Sequence, residues 1–271
     1  MVRSVYRIDY HMHSCYSFDG SEPVDALCLA AIERGCNEIA ITDHLDIFMT
    51  KTCEDVLDAA AAYDDIARAQ ERFRGRLIIK TGVELGQPQV NPGEADRFFK
   101  RYAPDFVIGS VHNMEHDLDV YYYDWSRMNE FEVYDRYITW LEELARTADF
   151  DVLGHLTYPL RYVYEARGTR FPLEDYFDRF RNLFRILNER GKGIECNTSG
   201  LLQPIGQTLP PLELLKLYRE CGGEIITIGS DAHRAAHVAL TVPQGEALVR
   251  EAGFRYVTTY TERRPEFHPI D

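Results

Sequence analysis

Seven short apolar runs rich in β-branched residues alternate with longer stretches of helical period, and this alternation restricts the fold more than any other feature of the chain. The runs are VYRIDY (5–10), EIAIT (38–42), RLIIKTGVE (76–84), DFVIGS (105–110), FDVLGH (150–155), GKGIECN (191–197) and EIITIGS (224–230). Between them the pattern predicts helices over 22–34, 54–74, about 127–148, 173–190 and 211–221, four of them stopped by a glycine (Gly35, Gly75, Gly191, Gly222). In the fourth, Leu173, Phe177, Phe180, Phe184 and Leu187 recur at helical spacing, which is a core-facing stripe. Repeated βα units imply an α/β protein with a parallel sheet. Seven strands are more than an ordinary two-layer domain uses, and no Gly/Ser/Pro-rich linker divides the chain, so a single barrel-like domain over 1–271 is expected.

In such a barrel the chemistry sits at the carboxyl ends of the strands, and polar ligands recur there. The first strand runs into DYHMHSCYSFDG, placing His11 and His13 on one strand face, with Asp19 beyond them. EIAIT is followed by Asp43 and His44, and RLIIKTGVE ends in Glu84. DFVIGS leads to His112, FDVLGH ends in His155, and EIITIGS is followed by Asp231 and His233. Six of the nine histidines stand at strand ends, which occupy only a small part of the chain. Imidazole mixed with carboxylate suits Zn, Mn or Fe better than Mg or Ca. The nine candidates His11, His13, Asp19, His44, Glu84, His112, His155, Asp231 and His233 exceed what one ion uses, so two or three divalent ions are implied. Glu84, with two oxygens among histidines, is the natural bridge.

Composition narrows the partners. A formal charge of −14, from 44 acidic against 30 basic residues, argues against a general nucleic-acid surface. Cys15, Cys28, Cys36, Cys53, Cys196 and Cys221 form no CxxC pair, and the start MVRSVYRIDY has no leader pattern, so a reduced, cytoplasmic chain is expected. No apolar run approaches the length of a membrane span, and nothing in the sequence specifies the oligomeric state.

The ordered set DYHMH, TDH, TGVE, GSVH, GH and GSDAH resembles the polymerase-and-histidinol-phosphatase (PHP) family of metal-dependent phosphoesterases. GHLTYPLRY (154–162), IECNTSG (194–200) and FRYVTTYTERRPEFHPI (254–270) are similar to its bacterial histidinol-phosphate phosphatase branch. The resemblance implies a distorted (β/α)7 TIM-like barrel. It also implies a first metal on His11, His13, Glu84 and Asp231, a second on Glu84, His112 and His155, and a third on Asp19, His44 and His233. Asp19 stands where some members carry histidine, so the third site rests on a carboxylate. The expected substrate is a small phosphorylated metabolite, hydrolysed by metal-activated hydroxide, with Asp231 and His233 assisting the leaving alkoxide. Arg161 and Asn197 are the expected substrate contacts, with Asn197, two residues after Glu195 on one strand face, alternatively expected to support a metal-bound histidine. A second arginine expected just after NTSG is absent, since Leu201, Leu202 and Gln203 follow Gly200, and Arg234 beside His233 is the substitute on offer. Asp9 and Asp43 are expected to hold imidazole N–H groups, whereas His116, His237 and His268 fall outside the strand-end pattern.

Three other readings compete. A nucleotide phosphatase or phosphodiesterase of the same family would share every ligand and differ in the loops at 113–126 and 156–172. A metallo-amidohydrolase would need Lys80 as a carboxylated bridge, short of its strand end. A non-catalytic metal-binding module would show no turnover.

Overall fold

In the computed structural model, residues 5–50 and 57–270 are described; Cys53 and the first residues of the helix expected from 54 lie outside them. Seven strands run parallel: β1 (Ile8–Asp9), β2 (Glu38–Ile41), β4 (Ile78–Gly86), β5 (Phe106–Ser110), β6 (Val152–Leu153), β7 (Gly193–Asn197) and β8 (Ile226–Gly229), hydrogen-bonded in that order. A short β3 (His44–Asp46) continues the β2 side onto the end of β4, pairing His44 with Glu84. The barrel nearly closes where Tyr10 N donates to Ile228 O at 2.9 Å and Asp231 N to His11 O at 2.8 Å. Strands β2, β5 and β7 are buried along their whole length, as strands covered on both faces must be. The expected distorted barrel of seven βα units is thus the fold.

The wrapping helices are α1 (Val24–Glu33), α2 (Ala59–Arg72), α3 (Pro92–Arg101), α4 (Glu130–Thr147), α5 (Leu160–Arg167), α6 (Phe177–Glu189), α7 (Leu212–Glu220) and α8 (Val242–Glu251). In α6, Phe180, Leu183, Phe184 and Leu187 are buried as the spacing predicts, and Gly191 follows with φ +65°, a left-handed turn that a side chain would strain. Three helices, α3, α5 and α8, were not among those expected. A proline stands in the first turn or just before it in each: Pro92 opens α3, Pro159 precedes α5 and Pro243 is the second residue of α8, so each start reads as loop punctuation in the sequence.

A hairpin of β9 (Tyr256–Thr261) and β10 (Arg264–Pro269) seals the amino end of the barrel. Tyr260 packs its ring 5.0 Å from Phe106, which lies 5.0 Å from Tyr10. At the hairpin turn, Arg263 donates to Asp151 (2.5 Å) and Asp149 (3.0 Å). Lys80 also belongs to this end, bonding Thr261 Oγ1 at 2.7 Å and lying 3.8 Å from Glu38, which removes it from any bridging position at the opposite mouth. No described helix is long and apolar enough to cross a membrane.

Candidate metal centre

All nine strand-end candidates meet at the carboxyl mouth, around Glu84. Its Oε1 lies 2.7 Å from His155 Nε2 and 3.1 Å from His112 Nε2; its Oε2 lies 3.0 Å from His44 Nδ1, 3.2 Å from His11 Nε2 and 3.5 Å from His13 Nε2. Asp231 Oδ1 stands 3.3 Å from His13 Nε2 and 3.6 Å from His11 Nε2. Toward solvent, Asp19 Oδ2 is 2.9 Å from His233 Nε2 and 3.6 Å from His44 Nε2. Among the described residues four groups result in which one ligand atom from each member lies within 4.8 Å of the others: His11, His13 and Asp231; His11, Glu84 and His155; His13, Asp19, His44 and His233; and His44, Asp46 and His112. His13 therefore adjoins the Asp19 group as well, its ring 4.2 Å from His44 and 4.3 Å from His233.

The fixed orientation of these rings comes from residues beneath them. Glu195 Oε1 takes His11 Nδ1 at 2.7 Å, so neutral His11 presents the lone pair of Nε2 to the cluster. Its other oxygen accepts from His155 N (2.8 Å) and Asn197 Nδ2 (3.2 Å). Room for this pair exists only because position 229 is glycine: a Cβ there would sit 2.3 Å from Glu195 Oε1 and 2.4 Å from His11 Cβ. Asp46 Oδ1 holds His112 Nδ1 at 3.0 Å. Asp231 adopts φ +55°, a backbone region uncommon for a residue with a side chain, which turns its carboxylate into the site.

Two expectations are corrected here. Asp9 and Asp43 do not touch imidazoles. Asp9 accepts from Ser230 N (2.8 Å) and Ala239 N (2.7 Å), tying the loop after β8 to β1. Asp43 accepts from Ser14 N (2.6 Å) and Ser17 Oγ (2.9 Å), and only through Ser17, whose hydroxyl is 3.2 Å from His13 Nδ1, does it support a histidine. Sequence reasoning passed over Glu195 and Asp46 in these roles, although Glu195 shares a strand face with Asn197 and Asp46 shares one with His44. Asn197, expected at the substrate, is fully buried and reaches Glu195 and Asp231 Oδ2 (3.3 Å) instead of lining the cavity. Arg161 does line the cavity, its guanidinium 4.2 Å over the Tyr158 ring. His268 is structural, stacked 3.9 Å from Tyr6.

The charges are strongly coupled. Burial favours neutral His11, but Glu195, then Glu84 and Asp231, outweigh it and raise its pKa well above the usual value. His44 is pushed up to about 10: burial opposes this, and Glu84 and Asp19 overcome it. His13 falls to about 3, from burial and then the neighbouring His44 and His233. Glu84 and Asp231, which burial alone would raise, are held well below the usual carboxylate range, chiefly by His11.

The donor set fits divalent cations. Nε2 atoms of His11 and His13 are 3.1 Å apart, as are those of His112 and His155. Glu84 Oε2 and His44 Nδ1, 3.0 Å apart, are both buried without a hydrogen-bond partner. Lone pairs converging on shared space, and not paired with one another, are what a cation satisfies. A cavity of about 530 Å³ opens above them, lined by Asp46, Asp117, Asp119, Tyr121, Tyr158 and Tyr162 among others.

A parallel barrel bearing a histidine-carboxylate cluster at its mouth agrees with the comparison by sequence: the PHP domain model matches residues 9–199, and the chain belongs to that family. It is similar to the histidinol-phosphatase of Lactococcus lactis subsp. lactis (strain IL1403), 27% identical over 259 residues that cover 94% of each protein. A Thermotoga maritima protein named "probable histidinol-phosphatase" is 25% identical over 253 residues, 92% of this chain and 94% of that one. Among solved structures, the Lactococcus lactis histidinol phosphate phosphatase complexed with zinc, L-histidinol and phosphate superposes with a TM-score of 0.84 at 26% identity. The match covers 97% of this chain and 100% of that one.

Proposed function

We infer that this chain is a metal-dependent phosphomonoesterase that hydrolyses L-histidinol phosphate to L-histidinol and phosphate. The observation that carries the reading is Glu84, a carboxylate with no exposed surface and four histidines within 3.2 Å of its two oxygens, at the mouth of a barrel whose relatives over full length are histidinol-phosphatases. We assign His11, His13, Glu84 and Asp231 to one ion, Glu84, His112 and His155 to a second, and Asp19, His44 and His233, with His13 adjoining, to a third. When bound, two or three divalent ions (Zn, Mn or Fe) supply positive charge against the phosphoryl oxygens and lower the pKa of the attacking water.

The chain's own groups do the rest. Arg161 orients the phosphate through its fork of donors. Asp231 and His233 stand beside the leaving alkoxide and assist its departure as the P–O bond breaks and water's oxygen bonds to phosphorus; the proton the alkoxide takes up is the one that the attacking water releases. Asn197 positions rather than binds, since it holds the carboxylates of Glu195 and Asp231. The catalytic unit extends past residue 199 over the whole chain, because β8, Asp231 and His233 complete the barrel and its mouth. A reducing, cytoplasmic setting is supported by Cys15, Cys28, Cys36, Cys196 and Cys221, which are free thiols.

The test is a phosphate-release panel on metal-analysed protein with L-histidinol phosphate, nucleoside monophosphates and a phosphodiester. Preference for histidinol phosphate, lost together with bound metal in Glu84→Ala, is the expected result. Strong preference for the diester overturns the substrate while leaving the centre in place.

A further inference from the structure

His13 stands between two of the metal sites, and distance alone does not decide which of them it serves. Its Nε2 lies 3.1 Å from His11 Nε2, 3.3 Å from Asp231 Oδ1 and 3.5 Å from Glu84 Oε2, the other three ligands of the first ion. A ligand atom of the same ring also falls within 4.8 Å of Asp19, His44 and His233. A neutral imidazole has one lone pair in the plane of its ring, on whichever nitrogen carries no hydrogen, so it serves one ion only.

The buried hydroxyl of Ser17 bears on that choice. It sits in a tightly closed loop, in which Ser17 N donates to Ser14 O (3.1 Å) and Gly20 N to Ser17 O (3.3 Å). Three groups meet the hydroxyl: Asp43 Oδ1 at 2.9 Å, His44 N at 3.0 Å and His13 Nδ1 at 3.2 Å. A serine hydroxyl has one hydrogen to give and two lone pairs to receive with, whereas an ionised carboxylate only accepts. The hydrogen of Ser17 therefore goes to Asp43, whose two oxygens are fixed by donation from Ser14 N (2.6 Å) and Ser14 Oγ (2.8 Å). The backbone N–H of His44 takes one lone pair of Ser17. The second lone pair is left for His13, which puts a hydrogen on Nδ1 and leaves Nε2 bare.

Ring orientation agrees with this count. His13 lies nearly parallel to His44 and His233, at 20° and 24°, with centroids 4.2 and 4.3 Å away. Lone pairs in near-parallel planes run beside one another instead of toward a common point. From His11, whose Nε2 it meets, the ring is tilted by 56°.

Resting on the metal assignments above, we propose that Ser17, held by Asp43, is a positioning residue that commits His13 to the first ion through Nε2. The third ion is then left with Asp19, His44 and His233, three protein ligands on the solvent side, which leaves it open positions. The same hydroxyl holds the backbone of His44, so one buried serine sets a ligand of each ion.

The experiment uses the full chain with nitrogen-15-labelled histidine, in which long-range NMR correlations report the ring nitrogen that carries hydrogen or zinc; the His13 signals are assigned by their loss in His13→Gln. In the zinc-loaded wild type, His13 should keep hydrogen on Nδ1 and bind zinc through Nε2. That pattern should persist in Asp19→Ala, where the third ion is lost. Ser17→Ala should lose the Nδ1–H preference in the metal-free protein, and should need about 10–100-fold more free zinc, set by competition with a chromophoric chelator, to regain the His13 zinc signature. Hydrogen on Nε2 in the wild type, loss of the His13 zinc signature in Asp19→Ala, or a Ser17→Ala affinity within about twofold of wild type overturns the proposal. None of these readouts needs turnover: the expected pattern in a protein that releases phosphate from no substrate would sink the activity and keep the assignment of His13.

Discussion

Replacing Glu195 by glutamine changes one atom of a side chain that touches no cavity, and it tests whether the layer beneath the metal centre controls metal affinity. Three donors face this carboxylate: His11 Nδ1 at 2.7 Å, His155 N at 2.8 Å and Asn197 Nδ2 at 3.2 Å. An amide offers one accepting end, so at least one buried donor loses its partner, at about 1–3 kcal/mol. For a chain of this size that corresponds to a fall in Tm of roughly 2–10 °C. Loss of the negative charge also weakens the hold on the His11 tautomer that points Nε2 at Glu84 and Asp231, and such supporting residues are worth about 10–100-fold in metal affinity. Metal affinity is read by competition with a chromophoric chelator, and phosphatase activity is read against free metal. Glu195→Gln should need about 10–100-fold more metal for half-maximal activity, with kcat largely recovered at saturation. Wild-type metal affinity in a folded Glu195→Gln protein would refute the argument that Glu195 orients His11.

Asp19→Ala should lower metal content by one equivalent and leave the Glu84-centred ions in place, as measured by elemental analysis after gel filtration; an unchanged stoichiometry removes Asp19 from the site. Because carboxylates raise the pKa of His44 to about 10, that imidazole is protonated at neutral pH until an ion displaces the proton. Metal binding at pH 7–8 should therefore release protons, and affinity should fall as pH is lowered; calorimetry in buffers of different ionisation enthalpy checks the sign, and proton uptake would contradict it. At the opposite end of the barrel, Arg263→Ala strips Asp151, a buried carboxylate, of its cation. Stability should drop by about 3–5 kcal/mol in urea, with kcat/KM for the metal-loaded enzyme unaltered; a catalytic defect would show that the hairpin end communicates with the mouth.

The strand order and the ligand positions were legible because both are local patterns. A buried parallel strand is written as a short β-branched run, and its last residue points to the mouth wherever the run ends, so Glu84, His112 and His155 could be placed without knowing their neighbours. Where local pattern misleads, legibility failed: β3 spans only His44–Asp46, and α3, α5 and α8 each begin beside a proline (Pro92, Pro159, Pro243) that reads as a loop. The hairpin of β9 and β10 was likewise visible only as a family-like tail, since β10 is mostly exposed and lacks an alternating apolar face.

Residue chemistry and order along the chain therefore determined the barrel, the set of nine histidines and carboxylates, and the family. The tertiary structure decided which side chains support which. His11 lies 184 residues from Glu195, and His112 lies 66 from Asp46. Asp9 and Asp43, the nearest carboxylates in sequence to the histidines, are drawn instead to backbone N–H groups and hydroxyls that the loops leave unsatisfied. Arg161 and Arg234 line one small cavity only because α5 and the loop after β8 converge at the mouth. Hydrogen-bond partnership depends on distance and angle in space, and sequence separation carries neither once the chain closes into a barrel.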